Sequence, residues 1–338
     1  MKFSNRISKS EKNLTEEILV KANKIPGLIS LAGGTPQFII PQKYYQQIFD
    51  TSKNNPKIFQ YGKNSQGDPE LREIIANDLS KEFNQDISPE SILITSGSTS
   101  SIFSILQAFL NPNDEVLMFS PHWSVYNNQC RLSGGVVKEV LLDENNSWEI
   151  DFKLLKKKYS KKSKIILFND PVNPTGTTFS QKTKKQLLSF AQNNDLIVLA
   201  DETYRHLTFN QQDFSSIMTL PSADKHIILC RSFSKDFSLS GFRLGFIYAQ
   251  PTIISTLSKI HLAMNLMSPT FSQELGKILY QSKNQIIQLF QKRYNQRKKI
   301  VCKRLDKLSA IFDYVSPVAG YFVFPKYKLK MDTLSFFK

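Results

Sequence analysis

Lys235 is the residue best suited to nucleophilic chemistry in this 338-residue chain. It follows the apolar run HIILC, within RSFSKDFSLSGFRLGF at 231–246. A lysine placed after a buried strand is desolvated, which lowers its pKa and makes the neutral amine available as nucleophile and base. Ser232 and Arg243 flank it, and both can bind a phosphate group, Arg243 in bidentate geometry. The chain has no GxxxxGK[ST] motif, which excludes a P-loop.

A carboxylate follows another apolar run. Asp201 comes directly after LIVLA, and Tyr204 lies three residues further on. A carboxylate at the end of so apolar a strand is costly to bury unless it has a partner, and a cationic ring nitrogen would be such a partner. The alternative for Asp201 is an ordinary helix cap.

Three further apolar runs end in polar or aromatic residues. Ser98 and Thr99 open a helix after ILIT, where free backbone N–H groups favour anions, although both residue types are also common caps. Trp123 follows EVLMF and can either stack on a flat aromatic ligand or belong to the core. Asn173 lies in NDPVNPTG (169–176), where two prolines and a glycine fix an irregular loop.

These residues can meet only if the elements before them end at one edge of a sheet. The strand candidates are seven short runs, at 92–95, 115–119, 136–142, 164–168, 196–200, 226–230 and 244–249. Several of them are near-continuous runs of Val, Ile and Leu, which are typical of strands buried on both faces. Helical periodicity alternates with them, as at 98–110 and 182–194. This alternation predicts an α/β domain with a mainly parallel sheet and ligands at the carboxyl ends of its strands. From 251 the pattern is helical, with a long run over 270–308, and YFVFP (321–325) is predicted as a strand.

Composition and charge limit the classes of protein. With 41% hydrophobic residues the chain can bury a sizeable core, and its length indicates about two domains. The net charge is +15, but the basic runs at 153–164 and 291–299 have the pattern of solvated helix surfaces, and neither interleaves aromatics in the way that single-strand binders do. We therefore expect neither nucleic-acid nor membrane partners. Cys130, Cys230 and Cys302 match no metal spacing, so we expect structural thiols, no metal and a cytoplasmic location.

Seven motifs occur together in a fixed order: ISLAGGTPQF (29–38), YGKNSQGDPELREIIA (61–76), ILITSGSTSS (92–101), DEVLMFSPHWSVY (114–126), NDPVNPTG (169–176), ADETY (200–204) and SFSKDFSLSGFRLG (232–245). This pattern closely resembles the class I and II aminotransferases, which are fold type I enzymes dependent on pyridoxal 5'-phosphate. The form SPHW resembles the bacterial aspartate aminotransferase branch. The resemblance implies a three-layer fold, with a mainly parallel seven-stranded sheet flanked by helices and a smaller, incomplete α+β domain. It divides the chain into an N-terminal arm (1–45), a large cofactor-binding domain (46–285) and the start of a C-terminal small domain (286–338).

The resemblance implies roles for the residues that would face the cofactor ring. Lys235 matches the lysine that forms a Schiff base with the cofactor, and Asp201 matches the aspartate at the pyridine nitrogen. Asn173 and Tyr204 match the pair that hydrogen-bonds the ring hydroxyl. Trp123 matches the aromatic residue that stacks on the ring. Trp123 and Asn173 are also expected to contact the substrate.

Other matches concern the phosphate, the substrate and the partner subunit. The residues that match the phosphate-binding group are Ser98, Thr99, Ser232 and Arg243. Tyr61 matches a tyrosine that reaches the phosphate of the neighbouring subunit, which implies a homodimer with shared sites. Gly34 matches a glycine whose backbone touches the substrate carboxylate.

The implied activity is transfer of an amino group between an α-amino acid and a 2-oxo acid by a ping-pong mechanism, in which Lys235 moves protons as general base and acid. Other reactions of the same cofactor, such as β-elimination, are alternatives. A regulator with an aminotransferase-like sensor domain is not expected, because about 28 residues precede ISLAGG, too few for a winged helix.

The pattern departs from the family after GYFVFP (320–325). Relatives continue into a part that carries the arginine clamping the substrate α-carboxylate, whereas 326–338 contains no arginine. We therefore expect a complete cofactor site, an incomplete substrate site and a C-terminally truncated chain. The alternatives are a cofactor-binding homologue with weak or no activity, and another group in place of the arginine.

Overall fold

The computed structural model describes residues 2, 4, 7, 14–31, 34, 36, 38–210 and 214–337. The predicted N-terminal arm and the motif ISLAGGTPQF lie partly outside these residues. The strands are β1 (Ile92–Thr95), β2 (Glu115–Ser120), β3 (Val136–Leu141), β4 (Ser163–Asn169), β5 (Ile197–Asp201), β6 (Ile227–Ser232), β7 (Gly245–Tyr248), β8 (Phe312–Asp313) and β9 (Lys326–Tyr327). All seven predicted strands are therefore present.

The first seven strands form one sheet in the spatial order β1-β7-β6-β5-β4-β2-β3. Neighbours from β3 across to β6 run parallel, whereas β7 runs antiparallel to both β1 and β6. The prediction of a mainly parallel seven-stranded sheet is confirmed. Strands β8 and β9 form a separate antiparallel pair.

The α-helices within the described residues are α1 (Leu14–Ala22), α2 (Gln42–Asn54), α3 (Pro69–Phe83), α4 (Ser98–Phe109), α5 (Val125–Leu132), α6 (Phe152–Lys158), α7 (Gln181–Asn193), α8 (Phe233–Asp236), α9 (Pro251–Asn265), α10 (Thr270–Gln281), α11 (Lys283–Asp306) and α12 (Thr333–Phe337). The long predicted run is divided at Ser282 into α10 and α11. None of these helices is both long and apolar enough to cross a membrane. The predicted domain boundaries after residues 45 and 285 fall inside α2 and α11 and stay predictions.

The sheet separates two hydrophobic clusters, because successive residues of a strand point to opposite faces. Along β4, Ile166 and Phe168 belong to the cluster with α3, α7 and α10. Ile165 and Leu167 belong to the cluster with α4, α5 and α9. Burial on both faces explains the near-continuous apolar runs. Since both faces are apolar, polar side chains collect beyond the strand ends.

The segment YFVFP (321–325) is not a strand, so this prediction is wrong. Gly320 precedes it with φ +74°, which turns the chain. Tyr321 and Phe322 both pack against the ring of Tyr204, with centroids 5.7 and 5.4 Å away. Adjacent residues of a strand point to opposite faces, so this shared contact is incompatible with strand geometry.

Strand β7 passes very close to two other backbone segments at Gly245, which pairs with Thr95 of β1 and with Ser232 of β6. A Cβ at position 245 would lie 2.8 Å from the carbonyl oxygen of Arg231 and 3.0 Å from the Cα of Gly97. Both neighbours are backbone atoms, which cannot rotate away. The glycine therefore allows the turn after β1 to lie beside the turn after β6.

Gly245→Ala is expected to lower the free energy of unfolding by about 1–3 kcal/mol, because the added methyl group overlaps backbone on two sides. Gly241→Ala is the matched control, since a Cβ there meets nothing within 4 Å. Thermal unfolding and denaturant titration of both variants check the prediction. Equal unfolding midpoints for the two variants would contradict it.

Candidate functional site

The carboxyl ends of β4, β5 and β6 lie side by side at one edge of the sheet. Asn169, the last residue of β4, pairs in register with Asp201, the last residue of β5. Lys235 follows β6 on the short helix α8. An amide, a carboxylate and an amine are thus presented by three neighbouring strands, where open α/β sheets bind their ligands.

The amine of Lys235 is partly enclosed. Its Nζ donates a hydrogen bond to the Gly34 carbonyl oxygen at 2.7 Å, and lies 5.9 and 5.5 Å from the ring centroids of Tyr204 and Tyr321. Burial lowers the pKa of Lys235 to about 8, and the Arg243 guanidinium acts in the same direction. A sizeable neutral fraction of the amine is therefore present near neutral pH, as nucleophilic and base chemistry requires.

The carboxylate of Asp201 is buried and held by three donors. Oδ1 accepts hydrogen bonds from the backbone N–H of Thr203 at 3.0 Å and from its hydroxyl at 2.5 Å. Oδ2 accepts from the hydroxyl of Tyr126 at 2.6 Å. Burial raises the pKa of Asp201, although these hydrogen bonds favour the ionised form. Two carboxylate oxygens offer about four acceptor positions, so the described donors leave room at Oδ2 for a cationic N–H group.

Tyr204 and Asn173 form a pair beside Asp201. Asn173 Nδ2 donates to the Tyr204 hydroxyl at 3.3 Å. The backbone N–H of Asn173 donates to Asn169 Oδ1, and Asn169 Nδ2 donates to the carbonyl oxygen of Asp201. Burial raises the pKa of Tyr204, so its hydroxyl stays protonated. This chain of hydrogen bonds fixes the loop after β4 relative to the end of β5.

A turn suited to an anion lies where β1 leads into α4. Gly97 is the cap residue before the helix, with φ +91° and no side chain to cap it. The N–H groups of Ser98 and Thr99 have no acceptor within the helix and point out of its first turn. Arg243 covers this turn: a Cβ on Gly97 would lie 2.7 Å from Arg243 Nη2. The Ser232 hydroxyl accepts a backbone hydrogen bond at 3.1 Å as the cap of α8. A guanidinium and a helix N-terminus together favour a phosphate group.

Trp123 is connected to the Asp201 carboxylate through Tyr126. Its ring packs edge-on against Tyr126, with centroids 5.3 Å apart and planes at 87°. Because Tyr126 donates to Asp201, the indole is one ring away from the buried carboxylate. It is half-buried and belongs to the rim of the core on that side of the sheet.

The structure brings Gly34 to the amine but leaves Tyr61 on the surface. Gly34 belongs to a segment far from Lys235 in sequence and meets it through the 2.7 Å hydrogen bond. The side chain of Tyr61 is 78% exposed. No hydrogen bond or ring contact among the described residues joins Tyr61 to the other predicted site residues.

Sequence reasoning missed three residues of this site. Tyr126 and Thr203 are the donors to Asp201, and Tyr321 contacts Tyr204 and lies under the amine of Lys235. Tyr126 is the last residue of the motif DEVLMFSPHWSVY, and Thr203 follows Asp201 closely enough to cap it. Tyr321 carried no signal, since it belongs to the apolar run that was predicted as a strand.

A buried layer of opposite charges lies beside these residues in sequence. Arg205 Nη1 lies 2.9 Å from Asp236 Oδ2, and these are the chain neighbours of Tyr204 and Lys235. Arg231 Nη2 lies 2.7 Å from Glu202 Oε2, and these are the neighbours of Ser232 and Asp201. All four charged side chains are nearly inaccessible. The pairs cross-link the segments at the ends of β5 and β6.

This fold, with an amine, a buried carboxylate and an anion turn at its strand ends, defines a pyridoxal-phosphate-dependent transferase of fold type I. The chain belongs to the aminotransferases of class I and II, whose family model matches residues 26–337. The predicted fold, activity class and cofactor are thereby confirmed.

Individual relatives agree with this assignment. An aspartate aminotransferase of Pyrococcus abyssi is 31% identical over 334 residues, which are 97% of this chain and 84% of the relative. An aromatic-amino-acid aminotransferase of Thermococcus litoralis is 29% identical and covers 97% of this chain and 84% of its own length. The crystal structure of an aspartate aminotransferase of Thermotoga maritima has a TM-score of 0.91 at 26% identity, covering 99% of this chain and 87% of its own.

The groups at this sheet edge fit pyridoxal phosphate. The group needs an amine for its aldehyde, a carboxylate for its ring nitrogen and an anion site for its phosphate. Lys235, the free position at Asp201 Oδ2 and the turn at Gly97 offer these three functions at one sheet edge.

Proposed function

We propose that Lys235 binds the cofactor covalently through Nζ and moves the protons of amino-group transfer. The observation that carries the proposal is its amine, placed at the sheet edge beside Asp201 with a pKa of about 8. When bound, pyridoxal phosphate supplies a carbonyl carbon that bonds amines and a ring that accepts electrons from the substrate Cα. Lys235 Nζ takes the proton from that Cα as general base and later returns a proton as general acid.

Four residues are proposed to bind and orient the ring. Asp201 accepts a hydrogen bond from the ring nitrogen and favours its protonated form, since a buried carboxylate is stabilised by a cationic partner. Tyr204 and Asn173 bind the ring hydroxyl, supported by their mutual hydrogen bond of 3.3 Å. Trp123 stacks on the ring face. Trp123 and Asn173 also contact the substrate.

The proposed phosphate-binding residues share one turn and one hairpin loop; they are Ser98, Thr99, Ser232 and Arg243. Support comes from the close approach of the Arg243 guanidinium to Gly97 at the start of α4. The Gly34 backbone is proposed to touch the substrate carboxylate. The hydrogen bond between its carbonyl oxygen and Lys235 Nζ supports its place beside the reacting amine.

We propose aspartate as the preferred amino donor, since relatives at 31% and 28% identity are named aspartate aminotransferases. An aromatic amino acid is the second candidate. It is favoured by the rings of Tyr204, Tyr321 and Phe322, which pack together beside the amine, and by the relative from Thermococcus litoralis.

Incubation with pyridoxal phosphate and borohydride should attach one stable label to Lys235. The rate of attachment should rise as the pH passes through about 8, because the lowered pKa makes the neutral, reactive amine predominant above that value. Peptide mass spectrometry locates the label. Lys184, held by Asp170 at 2.6 Å, is the internal control and should stay unlabelled. A label on any other lysine would refute the assignment.

Aspartate should release 2-oxo acid in an amount equal to the active sites when no acceptor is present, because the first half of a ping-pong cycle needs no second substrate. Rapid-quench measurements with aspartate and with phenylalanine compare the two candidate donors. A faster release from phenylalanine would favour the aromatic candidate. Release from neither would contradict both.

We also propose a homodimer in which Tyr61 reaches the partner's site. Tyr61 and Phe59 are 78% and 69% exposed. Their segment contacts the one after α9, where Thr270 Oγ1 donates to the Gln60 carbonyl oxygen at 2.9 Å. The end of α9 in turn contacts Ser100 at the start of α4. The exposed patch formed by Phe59 and Tyr61 therefore borders the proposed phosphate turn. An exposed patch of this kind is typical of an interface.

Mixing Tyr61→Ala and Lys235→Ala subunits by co-refolding should restore about a quarter of the wild-type activity, because half of the dimers are hybrids with one intact site of two. Steady-state assays of each variant and of the mixture check this. The control mixture of Lys235→Ala with Asp201→Ala should stay inactive, since both residues act within one subunit. Equal activity of the two mixtures would exclude a shared site.

A cytoplasmic location is proposed as well. It is supported by Cys130, Cys230 and Cys302, which are all present as free thiols, two of them buried. Free thiols persist in reducing compartments.

A further inference from the structure

The hydroxyl of Tyr321 lies beside the reactive amine. Tyr321 donates a short hydrogen bond to the carbonyl oxygen of Gly34. The same oxygen accepts the hydrogen bond of Lys235 Nζ at 2.7 Å. A carbonyl oxygen has two lone pairs, so the hydroxyl and the amine occupy the two acceptor positions of one atom. The amine also lies 5.5 Å from the centroid of the Tyr321 ring.

The ring that carries this hydroxyl is held on several sides. It stacks on Tyr294 with centroids 5.5 Å apart, and it meets Tyr204 edge-on at 5.7 Å. Phe322 packs at 4.7 Å. Burial raises the pKa of Tyr321 far above its usual range, so the hydroxyl remains a proton donor at every working pH. A rigid ring with a permanent donor can fix the position of the atom to which it donates.

The described residues on the two sides of Gly34 differ in burial. Before it, the side chains of Ile29 and Leu31 are 85% and 96% exposed, whereas Phe38 after it is buried and packs against Tyr294 with ring centroids 4.6 Å apart. Exposed side chains make few contacts, so Ile29 and Leu31 contribute little to fixing the Gly34 carbonyl oxygen. The hydrogen bond from Tyr321 connects Gly34 to the aromatic cluster and therefore stabilises its position over the amine.

Building on the proposed role of Lys235, we propose that Tyr321 is a positioning residue, whose hydroxyl fixes the Gly34 carbonyl oxygen as the acceptor for the free Lys235 amine. The amine is free in the part of each cycle during which it transfers protons. A fixed acceptor keeps Nζ in one place and restricts the orientations from which it can take a proton. Tyr321 thus acts through Gly34.

The charge state of the amine reports on this contact. The groups that act on Lys235 are Arg243, which lowers its pKa, and Asp201, which raises it, while the Tyr204 and Tyr321 hydroxyls stay neutral. A hydrogen bond from the ammonium to a carbonyl oxygen favours the charged form. If the oxygen is released, the charged form loses its acceptor and the pKa of Lys235 falls.

Tyr321→Phe tests the proposal because it removes only the hydroxyl and keeps the ring. The pKa of Lys235 is measured in the full-length apoprotein by competitive acetylation with acetic anhydride across a pH series, with peptide mass spectrometry. We expect Tyr321→Phe to lower this pKa by about one unit, since the acceptor of the ammonium is no longer held. Tyr294→Phe is the matched control, which removes a hydroxyl from the adjoining ring of the same cluster and should leave the pKa unchanged.

In the cofactor-loaded enzyme, Tyr321→Phe should lower kcat more than it raises KM and increase the isotope effect of deuterium at the substrate Cα, because proton transfer by a less ordered amine becomes slower. An unchanged pKa of Lys235 in Tyr321→Phe would overturn the proposal, as would an equal fall in both variants. If borohydride labels a different lysine in the wild type, the proposed cofactor attachment fails, whereas the apoprotein comparison still decides whether Tyr321 holds the amine.

Discussion

A carboxylate buried at the end of an apolar strand is the constraint on which this site depends. Asp201 is the last residue of β5, a strand that is buried on both faces, and it is only 3% exposed. An unpaired charge there would be strongly unfavourable. Tyr126 and Thr203 supply donors, yet burial still raises its pKa. The described residues that bond to this carboxylate are all neutral donors, so it has room for a cationic partner. The protonated ring nitrogen of the cofactor is the partner that we propose, and the neighbouring strands end beside it.

The strand ends are held in place by buried ion pairs between residues next to the site. Arg205 and Asp236 lie next in sequence to Tyr204 and Lys235, and their 2.9 Å ion pair ties the two segments together. Breaking a buried pair costs more than the pair contributes, since the remaining charge is left without compensation. Proposed site residues and buried ion-pair residues thus alternate along the chain. Because neighbouring residues serve the site and its supporting ion pairs, short motifs contain much of the site.

Local patterns were enough to predict most of the fold and the residues gathered at the sheet edge. Continuous apolar runs identify β4 and β5, and Asp201 and Lys235 stand out because charge follows these runs directly. The partners could not be predicted in the same way: Tyr126 reaches Asp201 across 75 positions, and no local rule selects such a pair. Tyr321 was hidden for a different reason. Its apolar run satisfies the composition of a strand, and only packing against Tyr204 shows otherwise.

The antiparallel pairing of β7 with β6 fixes the distance between Lys235 and Arg243. Ser232 pairs with Gly245, so residues 233–244 form a loop closed at its base by the ladder between β6 and β7. Lys235 lies on the outgoing arm of this loop and Arg243 on the returning arm, next to the close contact of Gly245 with Gly97. The spacing between the lysine proposed to bind the cofactor and the arginine proposed to bind its phosphate is therefore a local property of one hairpin. The length of this loop therefore fixes the distance between Lys235 and Arg243. The rest of the domain can vary widely in sequence, whereas a single insertion in this loop would change the size of molecule that the site accepts.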